Sequence, residues 1–219
     1  MSTIKLTGLR GSLPERAVLT DDPMRARMLA AHWLENAAPL YELRGLEGCV
    51  GGYRGAGIAL LSVGYGESAA LLYLHEAAQL GVKRVIYMGE CVSHEADLRL
   101  RDVIIPEGAD PALLACALEA ARQSGLSVNI LGVTTDDRFF LGAGGDSRGI
   151  TDFASGAVAR YAAGHGLAAL SILTVSQNTA NGEGLEEHER QSRFHDAARL
   201  TFEALALDAG RRPISAAER

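Results

Sequence analysis

Short apolar, β-prone runs alternate with longer helical segments along most of this chain, and that alternation limits the fold more than any other feature. Ala17-Val18-Leu19-Thr20, the segment Gly57 to Val63, Val82 to Met88, Val103-Ile104-Ile105, Val128 to Val133 and Ala168 to Val175 read as buried strands. Helices are expected from Arg25 to about Trp33, Glu67 to Leu80, Pro111 to Ser124, Ile150 to Gly164, and Leu185 to about Leu207. Asp21-Asp22-Pro23 supplies a cap and an early proline for the first of them. Leu40 to Leu43 and Cys49 to Tyr53 form a hairpin-like pair, so the sheet is expected to be mixed. A single α/β domain over residues 1–219 follows, three-layered as α/β/α, with a tail frayed after about 210.

Composition narrows the chemistry. A formal net charge of −6 argues against a nucleic-acid binder, which needs dense Lys and Arg for phosphate backbones. No apolar run has the length of a membrane span, and Met-Ser-Thr-Ile-Lys lacks the apolar core of a signal peptide. Cys49, Cys91 and Cys116 show no C-x-x-C spacing, so neither a disulfide scaffold nor a zinc site is indicated, and a reduced cytoplasm is the simplest home. No metal site is expected: His94 and Glu95 have no third ligand at a suitable spacing.

Candidate site residues gather at the ends of the expected strands. Ser62-Val63-Gly64-Tyr65-Gly66 leaves a strand through two glycines and opens a helix, so backbone and Ser68 donors face an anion or other small ligand. Arg25 lies in the first turn of the helix after Thr20 and is placed to clamp a phosphate, although Asp21 and Asp22 bring negative charge to the same end. Val85-Ile86-Tyr87-Met88-Gly89-Glu90 reads as a strand ending on a glycine turn, offering Tyr87 for stacking on a planar ligand and Glu90 as an acceptor or base. Phe139 and Phe140 follow another strand and suit a base, ahead of the glycine-rich Gly142 to Gly145. Gln177 can hydrogen-bond a heteroaromatic edge but cannot protonate it. Glu186 to Arg190 reads as a solvated helical face.

Taken in order, these segments resemble the purine nucleoside phosphorylase and uridine phosphorylase family. The resemblance runs from about residue 17 to 180. Thr20-Asp21-Asp22-Pro23-Met24-Arg25 resembles its Gly-Asp-Pro-x-Arg segment, Ser62 to Gly66 its Ser-Thr-Gly-Ile-Gly strand end, and Gly89-Glu90-Cys91 its Gly-Thr-Cys-Gly turn. Asp102 to Pro106 and Gly132 to Phe140 match two further landmarks. The resemblance implies phosphate-dependent cleavage of the N-glycosidic bond of a purine or pyrimidine nucleoside by a pentosyltransferase, with phosphate as co-substrate and no cofactor. It also implies a homo-oligomer built from dimers, up to a hexamer, with Arg44 shared across the interface.

The same resemblance distributes roles, and the chain departs from several. Arg25, Arg44, Gly64 and Ser68 stand for the phosphate ligands; Arg25, Glu90 and Gln177 for catalytic positions; Tyr87, Phe139, Asp152, Phe153 and Gln177 for the nucleoside side. The family's glycine is Asp21 here, its strand arginine Tyr87, its threonine Glu90, and its ribose-binding Met-Glu pair Phe153-Ala154. The departures leave two alternatives open: a nucleosidase that uses water, with Glu90 positioning it, and a catalytically silent ligand-binding or structural relative.

Overall fold

The computed structural model describes residues 12–136, 149–192 and 194–210. Its centre is four parallel strands. β1 (Arg16–Thr20) lies between β4 (Ala56–Ser62) and β5 (Arg84–Ser93), and β5 lies beside β10 (Ala168–Asn178). The hairpin of β2 (Glu35–Leu43) and β3 (Leu46–Tyr53) extends the sheet antiparallel to β4. On the other side, β6 (Val103–Pro106) runs antiparallel to β10, and β7 (Val128–Leu131) runs parallel to β6. Three short strands, β8 (Val133–Thr135), β9 (Ile150–Asp152) and β11 (Glu183–Gly184), attach at the ends of β5 and β10, making eleven in one mixed sheet.

Neighbouring residues of the central strands feed opposite cores. Leu19, Leu61, Tyr87 and Leu173 pack on one face with α2 (Glu67–Gln79) and α4 (Ser155–His165). Val18, Leu60, Ile86 and Ile172 pack on the other with α1 (Pro23–Trp33), α3 (Pro111–Ser124) and α6 (His195–Gly210). A strand buried on both faces must be apolar at every position, which explains the unbroken runs in the sequence. The result is three layers, α/β/α. No described helix is long and apolar enough to cross a membrane.

Caps fix the helix starts. Asp22 accepts hydrogen bonds from the backbone N–H of Met24 (2.7 Å) and Arg25 (3.3 Å), with Pro23 opening α1. Asp110 does the same for α3, and Gly125 closes that helix in the left-handed region.

Several boundaries differ from the sequence reading. β5 does not end at Gly89 but continues to Ser93. Gly89 is not a turn residue; a Cβ there would meet the Tyr87 ring at 2.8–2.9 Å, so its missing side chain makes room for that ring. The helix expected from Ile150 begins instead as β9, because Ile150–Asp152 pairs with Cys91–Ser93 before α4 starts. The long terminal helix is two pieces, α5 (Glu187–Ser192) and α6, and Phe194 between them turns into the core. The glycine-rich Gly142 to Gly145 and the tail after Gly210 lie outside the described residues.

Candidate active site

The parallel strands β1, β4 and β5 deliver their C-terminal ends to one place. Thr20 is in register with Ser62 on one side and Met88 on the other. Beyond Ser62 the chain turns through Gly64 (φ +81°) and Gly66 (φ +97°) into α2, and these backbone angles need glycine. Asp21 and Arg25 follow β1, Tyr65 stands on the glycine turn, and Tyr87 and Glu90 are on β5. α5 adds Arg190 from 165 residues beyond Arg25.

Arg25 is fully buried, and its guanidinium is the hub. Nη1 donates to the Asp21 carboxylate and to Thr20 Oγ1 (3.4 Å). Nε and Nη2 donate to the backbone carbonyl of Arg190 (3.3 and 3.1 Å), and the plane lies 4.5 Å from the Phe194 ring centroid. The remaining side of Nη2 faces Glu90 Oε1 at 3.9 Å.

Glu90 is almost completely buried. Tyr65 donates its hydroxyl to Oε1 at 3.3 Å. Oε2 lies 3.6 Å from Arg190 Nη1 and has no hydrogen-bond partner among the described residues. The Glu90 carboxylate is therefore held between two guanidiniums at distances longer than hydrogen bonds. Burial pushes the Asp21 carboxyl up to about 6; Arg25 opposes that rise, and Glu90 and Asp22 add to it. Burial, then the Asp21 and Glu90 charges, also raise the half-exposed Tyr65 phenol. With Asp22 included, three carboxylates face two guanidiniums here.

Of the residues named from sequence, the structure brings Arg25, Glu90, Gly64 and Tyr87 to this one strand-end region. Tyr87 is not available for stacking on a ligand: it is fully buried, and its hydroxyl donates to Asp21 at 3.4 Å. Asp152 is not a free ribose acceptor either. It is fully buried, accepts from Thr135 Oγ1 (2.6 Å), and caps α4 through the backbone N–H of Ala154 (3.2 Å) and Ser155 (2.7 Å). Phe153 is buried, edge-on to Tyr65 with ring centroids 5.3 Å apart. Gln177 is half-buried near the end of β10, just past a bulge. Ser68 is exposed in the first turn of α2, and Arg44 is exposed in the β2–β3 turn with φ +55°. Phe139 lies outside the described residues.

Arg190 is the residue that the sequence reading missed. Far from being a solvated face, it offers its backbone carbonyl to Arg25 and its guanidinium to Glu90. The signal that pairs them is Phe194, an aromatic that breaks the terminal helical pattern and carries α5 over the site. Among the described residues there is no cluster of three or more His, Cys, Asp or Glu able to hold a metal ion.

No family model matches the chain. It is 31% identical to the DeoD-type purine nucleoside phosphorylase of Bacillus subtilis over 227 residues, covering 90% of this chain and 96% of that one. The DeoD-type enzyme of Geobacillus kaustophilus is also 31% identical, over 89% of this chain and 94% of the relative. Among solved structures, purine nucleoside phosphorylase from Toxoplasma gondii in complex with immucillin-H superposes with a TM-score of 0.80 at 18% identity, covering 92% of this chain and 94% of that one, which supports the fold. Identity of this level over nearly the full length of its relatives, on the same fold, shows that the chain belongs to the nucleoside phosphorylase family.

Proposed function

We propose that this protein is a purine nucleoside phosphorylase, transferring the pentosyl group of a nucleoside from the base to phosphate. A phosphate oxygen forms the new bond to C1′ while the C1′–N bond breaks. Its electron pair leaves with the base, which takes up a proton. The observation that carries the reading is the meeting of Arg25 and Arg190 beside the Gly64–Gly66 turn, in a chain matched over nine-tenths of its length by purine nucleoside phosphorylases. Two guanidiniums at a glycine-lined strand end suit an anionic co-substrate. In this reading Gly64 and Ser68 contribute donors at the start of α2, Gln177 holds an edge of the base without protonating it, and no cofactor is required. Arg44, exposed on its hairpin turn, reaches the site of a second copy in a homo-oligomer built from dimers. Cysteines that form no disulfide suit a reduced cytoplasm.

Incubation of the protein with inosine, adenosine and guanosine, with and without phosphate, tests this directly. Free base and pentose 1-phosphate are expected only when phosphate is present, with a large loss in Arg190→Ala. Absence of phosphate-dependent release at high enzyme concentration would refute the reading. A second reading, hydrolysis, is favoured by one observation: a carboxylate, Glu90, faces the site between the two cations. Base release at the same rate without phosphate, yielding free pentose, would select it.

A further inference from the structure

Glu90 is the buried group whose chemistry phosphorolysis does not use. Arg25 already spends its Nε, its Nη1 and one side of its Nη2 on the Arg190 carbonyl, Asp21 and Thr20. What remains of it points at Glu90, and so does Nη1 of Arg190. The carboxylate sits between them at 3.9 and 3.6 Å, and its Oε2 makes no hydrogen bond among the described residues. A carboxylate optimised for structure at 2% exposure would have both oxygens satisfied, because an unmade bond to a buried charge is expensive. Asp21, by contrast, has a partner on each oxygen: Arg25 on one, the Tyr87 hydroxyl on the other.

Resting on the phosphorylase reading above, we propose that Glu90 is an internal anion that occupies the phosphate position between Arg25 and Arg190, so that phosphate binds only by displacing it. Tyr65, half-exposed on the glycine turn, holds Glu90 in that place through its hydroxyl and moves with it. An oxyanion entering beside an undisplaced Glu90 meets a like charge within about 4 Å, a repulsion large enough to cost several tenfold factors in affinity. Glu90 thus sets the phosphate concentration at which the site works and favours small oxyanions that can take its two cationic contacts.

The test is inorganic sulfate binding, by calorimetry, to nucleoside-free protein near neutral pH, where sulfate keeps its full charge. Wild type is expected to bind sulfate only weakly. Glu90→Gln, which keeps the shape, and Glu90→Ala, which also opens space, are each expected to bind sulfate at least about tenfold more tightly. Circular dichroism and thermal melts verify that each variant is folded. Unchanged or weaker sulfate binding in a folded variant would overturn the proposal. So would wild-type binding tighter than about 0.1 mM, which needs no variant at all. Because the readout is an anion without turnover, it separates from the functional reading. Tighter sulfate binding without base release sinks the phosphorylase assignment alone, whereas phosphate-dependent base release with no gain in sulfate binding sinks the role given to Glu90.

Discussion

Replacing Asp21 by Asn asks which of two opposing forces governs the charged cluster. Asp21 is fully buried, which disfavours its ionised form, yet it contacts Arg25, which favours it. Burial wins: the carboxyl is lifted from 3.8 to about 6. A carboxyl raised on folding binds its proton more tightly in the native state. Its stabilising contribution is therefore complete below about pH 4 and is lost as the pH rises through about 6, with no further change above. At about 1.4 kcal/mol per tenfold, the wild type should lose about 2 to 3 kcal/mol between pH 4 and pH 7.5 that Asp21→Asn does not lose. Other titrating groups, such as Asp152, are common to both proteins and largely cancel in the difference. Urea denaturation of the two proteins in parallel across this range measures it. A difference that stays constant with pH would refute the reasoning. One that moves in favour of the wild type with rising pH would show that the Arg25 contact outweighs burial.

Two further changes probe the frame around the cluster. Gly89→Ala drives a Cβ into the buried Tyr87 ring and should cost about 1 to 3 kcal/mol of stability by chemical denaturation; a loss below about 0.5 kcal/mol would show that the ring yields freely. Asp208 holds Arg16 (2.9 Å) and Arg84 (3.1 Å), tying the starts of β1 and β5 to α6. Asp208→Ala should cost about 3 to 5 kcal/mol, because Arg16 stays buried without its partner, and a melting temperature unchanged from wild type would contradict this.

Most of the pattern of strands and helices, the cap of the first helix and the glycine turn were legible from the sequence because they are local. Period, Asp-Pro at a helix start and Gly64-x-Gly66 each act within a few residues. Asp22 caps its helix as its Asp-Pro pattern indicates, and α3 begins and ends where its alanine-rich segment does. The order of motifs also pointed to the family. Boundaries failed where a distant partner overrode the local signal, as when β9 formed against the end of β5 in a segment that reads as helix. The site failed in the same way. Tyr87 looks like a stacking residue until the strand's face is known, and it then proves to be core, aimed at Asp21. Asp152 looks free until the start of α4 takes up its carboxylate. Glu90 lies between Arg25 and Arg190 because three segments separated by 65 and 100 residues fold to one point, and the sign and partner of a buried charge depend on that convergence. Local chemistry thus determined most of the elements that form and what anion-binding residue types they carry. Long-range packing decided which charge each of those residues meets.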